Sequence, residues 1–447
     1  MSIPDKEPII AVGLIEGVPE ISFELLGEFH LENIVLKPGT YRVFCEGELL
    51  CLTIAGGARI HRARSLQLTP SVPESALFNL HDVKIGKQFH WERSLVQKFK
   101  GALYLMMPSP GHIIAINSIY LETYLASVIS SEMSPENRIE FLKAHCICSR
   151  SWLLNQLSRK DTEQPAGHKA DYTAAEVISW TGREAHRDFD VCADDHCQRY
   201  QGLGRINIAA EQAMKETQGK VLVYNNEICD ARYSKCCGGI TEKYSVAWDD
   251  TTVPYLESTT DAHEALPPVM SEEDARQFIM LRPAAYCNIE DKTVIKKILP
   301  DFDCETRDFF RWRIDLPQEE LRTLLLAKTN VDFGEIRALV PIERGPSGRL
   351  FKMRVRGTQQ EKIIGKELEI RSILSPSHLL SSAFIVEPYG SAGDVPAGFT
   401  LHGAGWGHGV GLCQIGAAGM AEQGKTCEEI LSHYFKSARL TTLIRLR

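Results

Sequence analysis

Residues 118–157 read SIYLETYLASVISSEMSPENRIEFLKAHCICSRSWLLNQL, and their apolar residues follow a helical spacing. Over Ser118–Ile129 the large apolar residues recur three and four positions apart, which predicts a helix with one apolar face. The second half predicts another helix that begins at Pro135, has Ser134 as its N-cap and ends near Leu157. The segment therefore predicts two helices joined by the short elbow SSEMSP.

The segments before this pair of helices have the pattern of β-strands. Short apolar runs such as IIAVGLI, EISFELLG and ALYLMM recur from Ile9 to about Leu105, and glycine and proline punctuate them. After the pair, residues 158–204 are polar and rich in Asp, His and Cys, which predicts a long loop held by something other than hydrophobic burial. Beyond it, strand-like runs such as KVLVYNN alternate with the helical segments IAAEQAMKETQG, EEDARQFIM, PQEELRTLLLAKT and TCEEILSHYF.

These patterns together predict a mixed α+β fold in which the core combines helices with antiparallel strands. Four parts are expected along the chain. They are a β-rich N-terminal region at 1–105, the first part of the core at 106–254, an inserted α/β subdomain at 255–349 and the C-terminal part of the core at 350–447.

Charge and hydropathy exclude two classes of partner. The 447 residues carry a formal net charge of −8, with a pI near 6.0. Because a nucleic-acid-binding surface is basic, nucleic acid is not expected as a partner. No run of about 18 apolar residues occurs, which argues against a membrane span. The N-terminus lacks the basic and apolar regions of a secretory signal, so we expect a cytoplasmic protein, a leader outside this sequence or an unconventional leader.

The elbow SSEMSP places one carboxylate, Glu132, between the two predicted helices. Next to the positive end of the second helix and the apolar Met133, such a carboxylate can be held in a partly dry environment that suits acid–base chemistry. The alternative is a solvated loop glutamate, which spacing alone favours because such glutamates are common on protein surfaces.

The segment HRDFDVCADDHC contains four side chains of the kinds that bind zinc. They are two imidazoles and two thiols, at His186, Cys192, His196 and Cys197. Their spacing differs from paired zinc-finger patterns, but four such ligands in a polar loop without a hydrophobic anchor favour one zinc ion over coincidence. Because adjacent residues reach one ion only where the backbone turns sharply, His196 or Cys197 is expected to be the weakest ligand.

The segment RYSKCCGGIT contains adjacent cysteines, Cys236 and Cys237. A nucleophilic cysteine needs an activating base, and the sequence places no histidine, aspartate or asparagine beside them. We therefore expect these cysteines to be buried, inert thiols.

The segment LHGAGWGHGVGLCQIGAAGM, Leu401–Met420, is rich in glycine. Glycine runs occur where the backbone turns tightly or approaches another group closely, and a ligand groove is one such place. Polar and aromatic side chains that could line this groove are His402, Trp406, His408 and Gln414. The alternative is a glycine-rich turn whose histidines are buried in the core and hydrogen-bonded there. A nucleotide-binding loop is not indicated, because the segment lacks the Lys and Ser/Thr of such a loop.

Four segments in this order resemble the stage II sporulation protein D family, also called the SpoIID/LytB or amidase-enhancer family, whose members act on bacterial peptidoglycan. The segments are YLETYLASVISSEMSPENRIEFLKAHCICSRSWLL, FDVCADDHCQRYQG, AMKETQGKVLVYNNEICDARYSKCCGG and GAGWGHGVGLCQIGAAGMAEQGKTCEEILSHYF. The chain departs from the family motifs at YSKCCGG, where a YHSSSGG-like stretch is usual, and at Cys413–Gln414, where SQ is usual.

The resemblance implies a lytic transglycosylase that cleaves the MurNAc–GlcNAc bond of glycan strands stripped of stem peptides and leaves 1,6-anhydroMurNAc ends. It implies that Glu132 is the single catalytic acid and base, and that the four His and Cys side chains of residues 186–197 bind zinc. The implied substrate-binding residues are Arg150, Tyr233, Ser234, His402, Trp406, His408 and Gln414. Peptidoglycan glycan strands and a cell-wall amidase are the implied partners, and the cell envelope is the implied location.

Three functions remain open from the sequence. The first is an active lytic transglycosylase, which the presence of Glu132 favours. The second is a non-catalytic glycan-binding module that recruits or enhances a cell-wall amidase. The third is a cytoplasmic, zinc-stabilised protein with this fold and a different partner, which the lack of a recognisable leader favours.

Overall fold

The computed structural model of the chain describes residues 7–73, 75–86, 92–160, 169–172, 176–180, 186–306 and 308–443. The chain forms two compact units, each made of more than one stretch of sequence. The first unit comprises Met1–Pro135, His186–Gly219 and Leu443–Arg447, and the second comprises Glu136–Ala185 and Lys220–Thr442. Both units contain strands and helices, which confirms the α+β class. The four-part division of the chain stays a prediction.

The secondary-structure elements of the described residues are numbered in chain order. The strands are β1 (Ile9–Val18), β2 (Glu20–Leu25), β3 (Phe29–Leu31), β4 (Ile34–Leu36), β5 (Gly39–Glu46), β6 (Leu49–Ile54), β7 (Arg59–Ala63), β8 (Ser65–Pro70), β9 (Leu77–Ile85), β10 (Arg93–Lys100), β11 (Ala102–Ser109), β12 (His112–Tyr120), β13 (Lys169–Tyr172), β14 (Glu176–Trp180), β15 (Val191–Cys192), β16 (Lys220–Tyr224), β17 (Glu227–Ile228), β18 (Tyr233–Ser234), β19 (Arg311–Pro317), β20 (Ile336–Arg344), β21 (Leu350–Gly357), β22 (Glu361–Gly365), β23 (Phe384–Ala392), β24 (Val395–Ala404), β25 (Leu412–Cys413) and β26 (Arg439–Thr442). The α-helices are α1 (Leu121–Glu132), α2 (Ile139–Lys160), α3 (Ile208–Glu216), α4 (Tyr244–Ala247), α5 (Glu272–Met280), α6 (Lys292–Ile298), α7 (Gln318–Thr329), α8 (Glu367–Ile373), α9 (Gln414–Glu422) and α10 (Cys427–Tyr434).

Two sheets form most of the first unit. A seven-stranded sheet has the order β15-β1-β12-β11-β8-β3-β4, and a six-stranded sheet has the order β10-β9-β2-β5-β6-β7. Their strands place alternate residues in the core, as in β2, where Ile21, Phe23 and Leu25 are buried and the residues between them are more exposed. The strands predicted between residues 9 and 105 are confirmed.

The first predicted helix begins later than expected. Helix α1 starts at Leu121, because Ser118–Tyr120 remain in β12 and pair with Ile9–Ala11 of β1. The hydrogen bonds of this sheet ladder outweigh the helical spacing of the three residues. The helix also ends later than expected, so Glu132 is its last residue.

The second predicted helix also begins later. Helix α2 runs from Ile139 to Lys160, so Ser134 is not its N-cap and Pro135 is not its first residue. Pro135 lies in a turn, and its carbonyl accepts a hydrogen bond of 3.0 Å from the side chain of Asn207. This tertiary contact holds the residues after α1 in a turn and delays the start of the next helix.

The prediction of one long loop over residues 158–204 is wrong for the part that the structure describes. Helix α2 continues to Lys160, and the short strands β13, β14 and β15 follow. Three stretches of this segment lie outside the described residues: 161–168, 173–175 and 181–185. Hydrophobic burial also holds the segment, because Phe189 is buried and packs with Ile114 and Ile116.

The described residues of the second unit form four further sheets. Their strand orders are β13-β14-β22-β21-β20, β19-β24-β23, β17-β16-β26 and β18-β25. The helices predicted at EEDARQFIM, PQEELRTLLLAKT and TCEEILSHYF are confirmed as α5, α7 and α10. Side-chain caps explain where α5 and α10 begin. The Ser271 side chain accepts a hydrogen bond from the Asp274 amide before α5, and Thr426 forms a capping box with Glu429 at the start of α10. Among the described residues, no helix has the length and apolar character that crossing a membrane requires.

Candidate active site and metal centre

The predicted catalytic residue, Glu132, is buried at the end of α1. It is 7 % exposed, and the neighbouring Met133 is fully buried. The backbone amide of Arg199, 67 residues further along the chain, donates a hydrogen bond of 3.0 Å to Glu132 Oε1. Glu132 is therefore not a solvated loop residue. Glu132 lies at the C-terminal end of α1, where the helix carbonyls carry partial negative charge. The expected effect of the positive end of the second helix stays a prediction.

We name Gln198–Gln201 the clamp segment, because it holds the end of α1. Its last amide donates a hydrogen bond of 3.2 Å to Ser131 Oγ, beside the bond that Arg199 makes to Glu132. Tyr200 of the clamp segment stacks on Tyr124 of α1, with ring centroids 5.1 Å apart. The position of the Glu132 carboxyl group therefore depends on the clamp segment.

The four predicted metal ligands, His186, Cys192, His196 and Cys197, lie together in the first unit and are named the His/Cys cluster. Their ligand atoms all lie within 4.8 Å of one another. Cys197 Sγ is 3.2 Å from His186 Nε2 and 3.4 Å from His196 Nδ1. Cys192 Sγ lies 4.0 Å from His196 Nδ1. Two imidazoles and two thiols at these separations fit the donor set that tetrahedral zinc takes.

The surroundings of Cys192 favour its thiolate form. The neighbouring Cys197 thiol, assisted by the rings of His186 and His196 and opposed by burial, holds the pKa of Cys192 well below its ordinary value. The thiolate is the form in which cysteine binds a metal ion.

The backbone explains how adjacent residues share the His/Cys cluster. Cys192 lies on β15, which pairs in parallel with β1 opposite Gly13. The amide of Cys197 donates a hydrogen bond of 3.0 Å to the carbonyl of Asp194 and closes a turn. This turn is the sharp reversal that adjacent ligands require, so both His196 and Cys197 reach the cluster.

A hydrophobic anchor supports the His/Cys cluster, and the prediction of a polar loop without one is wrong. Phe189 stacks on the ring of His186, with centroids 4.5 Å apart. The ring of Phe189 also fills the space beside Gly13, where a Cβ atom would lie 2.5 Å from Phe189 Cζ. Glycine at position 13 therefore permits the contact that supports His186.

Four glycines of the glycine-rich segment have left-handed backbone conformations. The φ angles of Gly405, Gly407, Gly409 and Gly411 are +82°, +91°, +77° and +74°. Residues with a side chain rarely adopt such angles. A Cβ atom at Gly409 would lie 2.4 Å from Arg349 Cζ. The close approach that this glycine permits is therefore to the protein's own arginine.

Arg349 ties the glycine-rich segment to the rest of the second unit, although no sequence pattern indicated it. Its side chain is fully buried and donates hydrogen bonds of 3.1 Å to each of the carbonyls of Gly407 and Cys237. It also donates to Ser347 Oγ at 2.9 Å, and this hydroxyl donates to the buried Glu242 at 2.7 Å. Burial raises the pKa of Glu242 above its ordinary value.

Tyr233 and Gln414 both contact a buried histidine, His145, that no sequence pattern indicated. His145 Nε2 lies 3.2 Å from Gln414 Nε2, and the His145 ring centroid lies 5.0 Å from that of Tyr233. Burial, reinforced by the charge of Lys235, lowers the pKa of His145 to about 3, so the ring is neutral at pH 7. The neighbouring hydroxyl of Ser234 is buried and has no hydrogen-bond partner among the described residues.

Trp406 is half-buried and lies near a buried ion pair. Lys235 Nζ is 5.9 Å from the centroid of the Trp406 ring and 2.8 Å from Asp303 Oδ2. The ring of Phe309 packs nearby, with its centroid 6.3 Å from that of Trp406. The indole therefore has apolar and cationic neighbours while it keeps some exposed surface.

His408 is a neutral ring whose proton position is set by the glycine-rich turn. The amide of Val410 donates a hydrogen bond of 3.0 Å to His408 Nδ1, which assigns the ring proton to Nε2. Burial, together with the charges of Arg232 and Arg349, lowers the pKa of His408 well below its ordinary value. The ring also forms a hydrogen bond with the backbone of Tyr233, so its polar groups have partners within the second unit.

Arg150 and His402 have surroundings different from those of the other predicted substrate-binding residues. Arg150 is fully buried, and its Nη1 donates a hydrogen bond of 3.1 Å to the backbone carbonyl of Lys220. His402 Nε2 lies 3.2 Å from Glu387 Oε2, and His402 lines a cleft of about 540 Å³. Arginines that line the same cleft are Arg282, Arg311 and Arg313. Arg150 has the surroundings of a structural arginine, whereas His402 faces a basic cleft.

The predicted site residues fall into two groups. Glu132 and the His/Cys cluster belong to the first unit. All predicted substrate-binding residues belong to the second unit; they are Arg150, Tyr233, Ser234, His402, Trp406, His408 and Gln414. The tertiary structure adds Arg199 to the first group and His145 and Arg349 to the second.

Comparison with known proteins gives two family models and several relatives. Residues 109–224 match the model described as Stage II sporulation protein, and residues 242–411 match the model described as Domain of unknown function (DUF8618). An uncharacterized protein of Brachyspira hyodysenteriae is 25 % identical over 350 residues, which cover 78 % of this chain and 74 % of that protein. Stage II sporulation protein D of Bacillus amyloliquefaciens is 24 % identical over 360 residues, which cover 79 % of this chain and 85 % of that protein. Amidase enhancer of Bacillus subtilis is 23 % identical over 328 residues, which cover 71 % of this chain and 40 % of that protein.

Proposed function

From the stage II sporulation protein (SpoIID) domain that the chain carries at residues 109–224, we propose that the protein is a peptidoglycan lytic transglycosylase. It cleaves the MurNAc–GlcNAc bond of glycan strands without stem peptides and leaves 1,6-anhydroMurNAc ends. The observation that carries this proposal is the buried carboxyl group of Glu132, which the Arg199 amide holds at 3.0 Å.

One carboxyl group is enough for this reaction. The protonated Glu132 gives its proton to the glycosidic oxygen as the bond from that oxygen to C1 of MurNAc breaks. The C6 hydroxyl of the same sugar then forms the bond to C1, and its proton returns to the Glu132 carboxylate. Water does not take part, so the second carboxylate that a hydrolysing glycosidase needs is not required.

The surroundings of Arg199 support this role for Glu132. The amide of Arg199 donates to one carboxyl oxygen and so orients the carboxyl plane. Arg199 is itself fixed, because its guanidinium forms hydrogen bonds of 2.8 and 3.1 Å to the two carboxylate oxygens of Asp195. Such fixed orientation is what proton transfer at a defined atom requires.

We further propose that the His/Cys cluster holds one zinc ion, with His186, Cys192, His196 and Cys197 as its ligands. The ion would act as a structural cross-link of residues 186–197. Because the clamp segment begins at Gln198, directly after the last ligand, an ordered cluster also fixes the amide that holds Glu132. The chain's own residues then carry the chemistry.

Replacing Cys192 with serine is expected to remove about one zinc ion per chain, because structural zinc sites use four protein ligands. The thermal unfolding midpoint should fall as well, since zinc binding contributes to folding. Metal analysis of protein purified without added zinc measures the first effect, and calorimetry measures the second. Cys51→Ser is the matched control, because Cys51 is a fully buried cysteine of the same unit outside the cluster. An equal zinc content in the two variants would contradict the assignment.

The second unit supplies candidate contacts for the glycan. We propose that Trp406 presents an apolar face to a sugar ring and that His408 lies beside a sugar hydroxyl. Tyr233, Ser234 and Gln414 add further polar groups, of which the buried Ser234 hydroxyl has unused hydrogen-bonding capacity among the described residues. His402 is a further candidate contact.

A second candidate function follows from the name of one relative, Amidase enhancer of Bacillus subtilis. In that case the protein would bind glycan strands without cleaving them and would assist a cell-wall amidase. Both candidates place the protein in the cell envelope, where peptidoglycan lies.

Digestion of purified peptidoglycan with the whole protein tests the proposed function. One sample is denuded with an amidase beforehand, and an intact sample serves for comparison. We expect mass spectrometry to find 1,6-anhydroMurNAc ends in the denuded sample, because C6–OH attack on C1 leaves no reducing end. Reducing MurNAc ends would indicate hydrolysis and contradict the mechanism. Binding to the strands without any new ends would favour the amidase-assisting function.

A further inference from the structure

A second group of metal-binding side chains lies inside the second unit. It consists of Cys237, Asp261, Cys287 and Cys413, and we name it the buried cluster. Each residue is at most 1 % exposed, and the four ligand atoms lie within 4.8 Å of one another. No residue of the His/Cys cluster belongs to it.

The sulfur separation in the buried cluster matches a tetrahedral metal site. Zinc–sulfur bonds are about 2.3 Å long, so two sulfurs on one tetrahedral zinc ion lie roughly 3.8 Å apart. The observed distance between Cys237 Sγ and Cys287 Sγ is 3.7 Å. This distance is far longer than the roughly 2.05 Å of a disulfide bond. The two thiols therefore have the spacing of ligands that share an ion.

Asp261 has the charge environment of a metal ligand. It is fully buried, and its two carboxylate oxygens accept hydrogen bonds of 2.5 Å from Tyr434 Oη and 3.0 Å from the Cys287 amide. No lysine, arginine or histidine in the described part of the chain forms an ion pair with Asp261. Burying a carboxylate without a positive partner is costly, and a bound cation would remove that cost.

Backbone amides donate to the sulfurs of the buried cluster. The amide of Cys237 donates to Cys413 Sγ at 3.1 Å, and the amides of Gly239 and Gly416 donate to Cys237 Sγ and Cys413 Sγ at 3.4 Å each. Such donors stabilise thiolates and orient metal ligands. Nearby, the Arg311 guanidinium donates to the Gly238 carbonyl at 2.9 Å, and its charge offsets part of the negative charge of the ligand set.

We propose that the buried cluster is a second metal site, which binds one zinc ion through three thiolates and one carboxylate. Its ligands come from segments far apart in sequence, since Cys237 and Cys413 alone are separated by 176 residues. Both cysteines belong to the segments in which the chain departs from the family motifs, YSKCCGG and CQ. The ion joins the glycine-rich segment and the start of α9 to the central part of the chain.

Metal analysis of the full-length protein tests this proposal. Cys287→Ala is expected to contain about one zinc ion fewer per chain than Cys427→Ala, because the removed thiolate is one of four ligands. Cys427 is the matched control, since it is also a buried cysteine of the second unit but lies outside the buried cluster. Equal zinc content in the two folded variants would overturn the proposal.

A cobalt measurement keeps the test decisive if Cys287→Ala does not fold. In the double variant Cys192→Ser/Cys197→Ser the His/Cys cluster lacks both thiolates, so Co²⁺ added after the bound zinc has been removed with a chelator reports on the buried cluster. We expect one equivalent of Co²⁺ to produce the intense thiolate-to-cobalt absorption of a tetrahedral site. Absence of this absorption, or a Cys237–Cys287 disulfide in a non-reducing peptide map of the wild type, would overturn the proposal.

Discussion

Replacing Glu132 with glutamine is expected to stop nearly all glycan cleavage while the protein still folds and binds zinc and glycan. Glutamine keeps a side-chain oxygen that can accept the 3.0 Å hydrogen bond from the Arg199 amide, so the local structure should persist. Proton transfer is lost, and a positioned acid or base typically contributes about 10²- to 10⁴-fold in rate. We therefore expect the rate of 1,6-anhydroMurNAc formation, measured by mass spectrometry, to fall by that factor.

Glu136→Gln is the matched control for this experiment. Glu136 follows the same elbow, but it is exposed, so the same chemical change should leave the rate of cleavage within a factor of about two. Zinc content and glycan binding, measured on both variants, separate loss of chemistry from loss of structure. If Glu132→Gln and the wild type release the same products at similar rates, catalysis lies elsewhere in the molecule.

The second large effect is expected for Arg349→Met, which should lower the free energy of unfolding by about 3–5 kcal/mol. Methionine fills much of the space of the arginine stem but leaves the Gly407 and Cys237 carbonyls without their 3.1 Å donors. It also removes the positive charge and the Ser347 contact near the buried Glu242. Denaturant unfolding followed by circular dichroism measures the change.

Arg356→Met is the matched control, because Arg356 lies on β21, the strand that begins directly after Arg349. Its guanidinium is exposed, with Nε 3.3 Å from Glu361, and such surface pairs contribute about 0–1 kcal/mol. The stability of Arg349→Lys should fall between those of the two methionine variants, because lysine keeps the positive charge but lacks the several N–H donors of the planar guanidinium. Equal stability of Arg349→Met and Arg356→Met would show that the glycine-rich segment does not depend on Arg349.

The elements of the fold that could be predicted are those whose causes are local. The alternation of Ile21, Phe23 and Leu25 specifies a strand with one buried face. The capping box of Thr426 and Glu429 lies directly before the apolar spacing of α10. These signals depend on residues within a few positions of one another, so they are visible in the sequence.

Helix boundaries near the candidate active site could not be predicted in this way. The helical spacing of Ser118–Tyr120 is real, but pairing with β1 keeps these residues in a strand. Pro135 and Ser134 form a plausible helix start, yet the contact from Asn207 holds a turn there. In both cases the partner is distant in sequence, and its hydrogen bonds outweigh the local preference.

The sequence by itself determined the residue types of the candidate site: one carboxylate in SSEMSP, and four zinc-type ligands close enough in HRDFDVCADDHC to meet through one turn. Only the tertiary structure decided that Glu132 is buried and held by Arg199, and that Cys237 and Cys413 meet Asp261 and Cys287. The physical reason is that burial and long-range proximity arise from packing. A short window of sequence records which groups are present, whereas their solvent exposure and distant partners are set when separate segments close around them.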